Sequence, residues 1–169
     1  MLVDITARKQ LEAELIEMST HDALTGCLNR RFLDQLDFEF RGHPEARWGC
    51  IFIDIDHFKR YNDEHGHQAG DRVLVRMARF LMRHVRAEEA VVRVGGDEFV
   101  IILTGADVNR TRRVSERLKN SALKSAPVPF SIGWAAREPA EPLVRLLDRA
   151  DRGLLQVRVE QRDDQRGTR

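Results

Sequence analysis

Four residues, Gly95, Gly96, Asp97 and Glu98, separate two apolar runs, Ala90–Val94 and Phe99–Leu103. Runs so close together read as an antiparallel β-hairpin, with glycine permitting the tight turn and two acids left at its tip. The surrounding pattern extends this unit. Gly49–Asp54 is mostly apolar and partly β-branched, as a buried strand should be, and a helical pattern over about Gly70–Arg86 leads into the hairpin. After it come a helix over about Val108–Leu123, a strand over Val128–Ala135 and a last helix over Pro142–Val157. The order βαββαβ predicts an α+β domain with a central, mostly antiparallel sheet and its helices on one face. A further helix is predicted ahead of this core. Asn29 is a good N-cap, Phe32, Leu33, Leu36 and Phe40 follow at helical spacing, and Gly42 and Pro44 stop it.

At 169 residues, 42% of them hydrophobic, the chain suffices for one domain with short appendages. Residues 1–20 read as an N-terminal linker helix, 21–162 as the domain and 163–169 as a polar tail. The linker carries Leu11, Leu15 and Met18 on one narrow stripe, which suits either a connector packed on the domain or half of a short coiled coil. With 28 basic against 27 acidic residues the net charge is +1, too small an excess to neutralise a nucleic-acid backbone. No nucleic-acid partner is expected, and any nucleotide must be gripped locally. Cys27 and Cys50 have no metal-like spacing and make no disulfide framework, as in a reducing, cytoplasmic compartment. No apolar run approaches the roughly 20 residues that span a bilayer, so no membrane contact is expected from this chain.

The chemistry resides in carboxylates. Asp54 and Asp56 stand where the Gly49–Asp54 strand leaves the sheet, and the hairpin offers Asp97 and Glu98. If the two strands are neighbours, these acids converge at one sheet edge and repel each other unless a cation joins them. Oxygen ligands suit magnesium or manganese, and magnesium completes its shell with water and substrate phosphates. Ordinary loop and turn acids would look the same from spacing alone.

Gly95-Gly96-Asp97-Glu98-Phe99 resembles the signature of the GGDEF family of diguanylate cyclases. Four other stretches follow that family in order: Asp22-Ala23-Leu24-Thr25-Gly26-Cys27-Leu28-Asn29-Arg30-Arg31, Asp54-Ile55-Asp56-His57-Phe58-Lys59, the segment from Asn62 to Asp71, and Ser131-Ile132-Gly133-Trp134. The resemblance implies a fold similar to nucleotidyl cyclases and polymerase palms, and an enzyme that condenses two GTP into cyclic di-GMP and pyrophosphate across a homodimer. It implies that Asp54, the backbone carbonyl of Ile55, Asp97 and Glu98 hold two magnesium or manganese ions. Asn62 and Asp71 would recognise guanine, the backbone N–H groups of Phe58 and Lys59 would cradle the β- and γ-phosphates, and Gly95 and Gly96 would clear space for the nucleotide. Asp54, Asp97 and Glu98 are therefore the candidate catalytic residues. The competing expectation is an inactive module that binds GTP or cyclic di-GMP.

Two departures from the family pattern stand out. Near the C-terminus Arg158 stands where the family has lysine, while Arg162 is retained; both are candidates to reach the triphosphate, although a guanidinium fork does not replace an ammonium group. The family's inhibitory product site is an Arg-x-x-Asp element, and here Arg86-Ala87-Glu88-Glu89 lengthens the acid by a methylene, so product inhibition is expected to weaken. Asp4 to Leu11 resembles the exit of a PAS sensory domain, implying such a domain upstream in the natural protein.

Overall fold

The structure, a computed structural model, describes residues 5–154. The elements in chain order are α1 (Ile5–Thr20), β1 (Leu28–Asn29), α2 (Arg30–Gly42), β2 (Trp48–Ile55), α3 (Phe58–His65), α4 (His67–Arg83), β3 (Ala90–Arg93), β4 (Glu98–Thr104), α5 (Val108–Ser125) and β5 (Phe130–Ala136). A final helix, α6, covers 143–154 of the described residues. The five strands lie in the order β1-β3-β4-β2-β5. Only β1 with β3 is parallel; the remaining pairings are antiparallel. The βαββαβ core is thus present, with α3 and α4 together forming its first crossover.

The sheet is covered on both faces, not on one. Side chains alternate along a strand, so Ile51, Ile53 and Ile55 of β2 join Phe99, Ile101 and Leu103 of β4 against Val73, Leu74 and Met77 of α4 and Val114 and Leu118 of α5. Cys50, Val100 and Ile102 point the other way, against Leu33, Leu36 and Phe40 of α2 and Leu143, Leu146 and Ala150 of α6. Burying one such large side chain is worth about 2–3 kcal/mol. Close approach on each face depends on glycine: a Cβ at Gly133 of β5 would strike the Ala150 carbonyl of α6, and one at Gly49 of β2 would strike the Thr111 hydroxyl of α5.

Helix α2 starts where its cap residue predicts, with the Asn29 side chain accepting from the Arg31 N–H at 2.9 Å. Helix α4 begins at His67 rather than near Gly70, because the break falls at Gly66, whose φ of 85° is left-handed. The last strand starts at Phe130 rather than Val128, behind Pro129, which has no N–H for a ladder. Of the α1 stripe, Leu11 and Leu15 are each 58% exposed; the side chain of Met18 lies outside those described, as do residues 1–4 and the 163–169 tail.

The end of the sheet where β2 begins is tied together by charge. Arg137, just past β5, donates to the carbonyls of Phe40, His43, Ala46 and Glu141 at 2.7–3.2 Å, and its guanidinium lies 4.4 Å from the Phe40 ring centroid. Arg149 of α6 donates to the Ala136 carbonyl and pairs with the buried Glu141 at 3.1 Å. The buried carboxylate of Glu89 pairs with Arg110 of α5 at 2.7 Å and accepts from the Arg86 backbone N–H at 2.8 Å.

Candidate active site

At the opposite end of β2 the ladder sets Asp54 directly across from Glu98 of β4. Residues opposed in an antiparallel pair share a face, and like charges placed so destabilise a sheet. The hairpin closes through the Val94 N–H donating to the Glu98 carbonyl at 3.0 Å, and the Ile55 N–H donates to the Asp97 carbonyl at 3.2 Å. Asp54, Ile55, Asp97 and Glu98 are therefore gathered at one edge, as neighbouring strands require. Asp56 is drawn aside, accepting from the Ser131 hydroxyl at 2.6 Å.

Glu98 records the crowding. Partial burial, then the negative charges of Asp54, Asp97 and Asp151, push its carboxyl above the usual range, with Arg30 acting against them. Arg30, Glu98 and Asp151 line a cleft of about 600 Å³ between α2 and α6. Among the described residues no three acidic, histidine or cysteine side chains form a ready-made metal cage. The residues fit a hard divalent cation nonetheless: opposed carboxylates at an open edge can give it a few oxygens and leave the rest of its shell to water and phosphate.

The glycines give room, and neither Gly95 nor Gly96 is there to supply a left-handed backbone. A Cβ at Gly95 would come within 2.7 Å of a Glu98 carboxylate oxygen, while Gly96 faces open space. Phe58 and Lys59 are not in a loop. They open α3, behind His57 in a left-handed conformation with no side-chain cap, so their N–H groups belong to the helical turn that lacks intrahelical acceptors and suits an anion.

Asn62 and Asp71 lie within α3 and α4, neither as a turn residue nor as an N-cap. The Asn62 side-chain oxygen is buried, has no hydrogen-bond partner and presses on Gly70, leaving no room there for a Cβ. A buried acceptor without a donor costs about 1–3 kcal/mol until something supplies one. Asp71, next along α4, is exposed. Arg158 and Arg162 lie outside the described residues. Glu89 of the Arg86 element is occupied by Arg110, as described above, and the Arg86 guanidinium lies 3.9 Å from Glu88.

A family model described as "Diguanylate cyclase, GGDEF domain" matches residues 19–164. The chain belongs to the GGDEF family. Among curated GGDEF relatives, diguanylate cyclase DgcM of Escherichia coli K12 is 33% identical over 168 residues, covering 95% of this chain and 41% of its own length. An uncharacterised signalling protein of Caulobacter vibrioides is 38% identical over 133 residues, or 75% of this chain and 16% of that protein. The chain thus spans less than half the length of these relatives. Of solved GGDEF structures, the coiled coil and GGDEF domain of DgcB from Caulobacter crescentus in complex with c-di-GMP matches with a TM-score of 0.80 and 28% identity, covering 92% of this chain and 88% of that one. Diguanylate cyclase SiaD from Pseudomonas aeruginosa, in complex with its activator SiaC, gives 0.78 and 30%, covering 92% and 64%.

Reasoning from sequence missed three charged residues of this GGDEF edge: Arg30, Asp151 and Arg93. Arg93 had a visible signal, a lone charge in an apolar strand two residues before the glycines.

Proposed function

We propose that the chain, residues 21–162 above all, is the catalytic unit of a diguanylate cyclase, joining two GTP into cyclic di-GMP with release of two pyrophosphates. The observation that carries this reading is the cross-strand pair of Asp54 and Glu98 beside Asp97, since a module that bound only the cyclic product, with no triphosphate to hold through a cation, would have no use for opposed carboxylates in its sheet. Two magnesium or manganese ions held by Asp54, the Ile55 carbonyl, Asp97 and Glu98 would supply charge neutralisation at the reacting phosphate. The chain does the positioning. Asn62 offers its side-chain amide to the guanine and Asp71 a carboxylate to the base's N–H groups, and Gly96 leaves the nucleotide room over the turn.

The first turn of α3 meets the terminal phosphates, with Lys59, Arg158 and Arg162 adding positive charge. Each domain holds one GTP, so the 3′-hydroxyl of one must attack the α-phosphate of the other, and two copies are needed. The exposed Leu11 and Leu15 of α1 support a helix that meets its counterpart in a second copy and, in a longer natural protein, an upstream PAS-like sensory domain. Among the described residues no helix is long and apolar enough to cross a membrane, and a cytoplasmic setting belongs to the same proposal. The commitment of Glu89 to Arg110 supports weak product inhibition.

The test is to incubate the full chain with GTP and magnesium over a range of protein concentrations. Cyclic di-GMP should form more than proportionally to concentration and vanish in Asp97→Ala. GTP that binds but persists, with manganese as well, would instead make the chain a nucleotide-binding module.

A further inference from the structure

Two glycines precede Asp97, so the hairpin tip has little stiffness of its own. Its shape is set from outside. The Gly96 carbonyl accepts two hydrogen bonds from Arg93, from Nη2 at 2.8 Å and from Nε at 3.2 Å. That carbonyl belongs to the peptide unit joining Gly96 to Asp97, and the next unit, joining Asp97 to Glu98, is held by the Ile55 N–H. Both peptide planes flanking Asp97 are thereby clamped, one by β2 and one by Arg93.

Arg93 is itself held in place. Its Nη1 meets the Asp22 carboxylate at 3.1 and 3.3 Å, and both side chains are mostly shielded from water, with 15% and 23% exposure. Asp22 also accepts from the Thr25 N–H at 2.9 Å and the Thr25 hydroxyl at 2.6 Å. This turn directly follows α1, whose last residues are fastened to the same region: the Asn29 side-chain amide donates to the carbonyls of Ser19 and His21 at 2.8 and 3.1 Å.

We propose that Arg93 is a positioning residue that transmits the placement of the α1 exit, through Asp22, to the backbone orientation of Asp97. The inference rests on the cyclase reading for its kinetic consequence, not for its structural one. A shift of the Asp22 turn relative to the sheet draws the guanidinium away from Gly96 and frees the glycine turn, so an input arriving along α1 reaches the acid without touching the nucleotide pocket. A single guanidinium suits this role because its planar fork can serve two acceptors at once, which an ammonium group on a flexible stem does poorly.

The experiment compares the full chain with Arg93→Lys and Asp22→Asn, measuring turnover, GTP affinity by equilibrium binding, and amide hydrogen exchange by residue. A misplaced reacting group costs about 100-fold in rate; a fall in kcat of about 10- to 100-fold is expected in Arg93→Lys, with the GTP dissociation constant moved less than about threefold. Exchange at Gly96, Asp97 and Glu98 should quicken in both variants while that in the middle of β2 and β4 stays as in the parent chain. Uniformly faster exchange across the sheet, or a loss of GTP affinity matching the loss of rate, would mean that Arg93 only stabilises the fold and would overturn the proposal. Should the parent chain bind GTP without converting it, the cyclase reading fails separately, and hydrogen exchange at the tip still decides whether Arg93 is the clamp.

Discussion

At the Trp48 end of β2, Arg137 gives its protons to four carbonyls and Arg149 and Arg110 each meet a buried glutamate. At the Asp54 end of the same strand, Glu98 faces Asp54 with Asp97 and Asp151 near, and Arg30 acts against their combined charge on Glu98. One sheet therefore carries an end whose charges are matched by arginines and an end where carboxylates crowd one another. The first kind of arrangement holds a fold together; the second costs stability and is the kind that clusters at functional sites.

The sharpest way to break this contrast is at the crowded end. Asp54→Asn should cut cyclic di-GMP formation by about 10²- to 10³-fold, the usual loss when one electrostatic partner of a reacting centre is removed, while the melting temperature of the chain, measured without divalent metal, stays level or rises. A melting temperature that falls instead would place Asp54 among the residues that build the fold. At the matched end the signs reverse. Arg137→Ala should destabilise by about 3 kcal/mol in a urea titration, since several carbonyls lose a charged donor, yet rate per folded molecule should hold.

Gly70→Ala tests the boundary between the two kinds of residue. The new methyl group meets the buried oxygen of Asn62 and should cost about 1–3 kcal/mol of stability as overpacking, together with part of the preference for GTP over ATP in competition binding. The smallest effect is expected at Asp107, the N-cap of α5. The Arg110 backbone N–H at 2.8 Å holds its carboxyl below the usual range, so the cap stabilises fully above the pKa of an unfolded aspartate and loses its contribution as pH falls through the lower folded value. Melting curves of Asp107→Ala and the parent chain should differ slightly at neutral pH and converge in strong acid.

Much of this contrast is visible in the sequence, though not all of it. The hairpin, the acids at its tip and those where β2 ends follow from spacing, and Asn29 marks its helix because a cap is a local device. The covering of both faces was missed although its sign was present: Cys50, Ile51, Phe52 and Ile53 form an unbroken apolar run, which a strand buried on one face would have interrupted. Helix α3 was missed for the opposite reason, since Phe58–His65 buries no residue completely and has only Phe58 and Tyr61 to set against the core. The unpartnered oxygen of Asn62 and the clamp made by Arg93 depend on which residues meet across the fold. Asp22 and Arg93 are 71 positions apart, and no local pattern joins them.

The pairing of β2 with β4 also bears on what a misfolded molecule can be. Asp54 and Glu98 face one another through the same register that opposes Ile53 to Phe99 and Ile51 to Ile101. Sliding one strand by a single residue would separate the two acids, but it would also turn a row of buried isoleucines toward the wrong layer. A misaligned pair would lose the packing of both layers, so an error of alignment costs folding as well as the pairing of the acids and leaves the chain open to proteolysis. The folded fraction of a preparation therefore has its acids opposed, and variation in specific activity between preparations should follow that fraction.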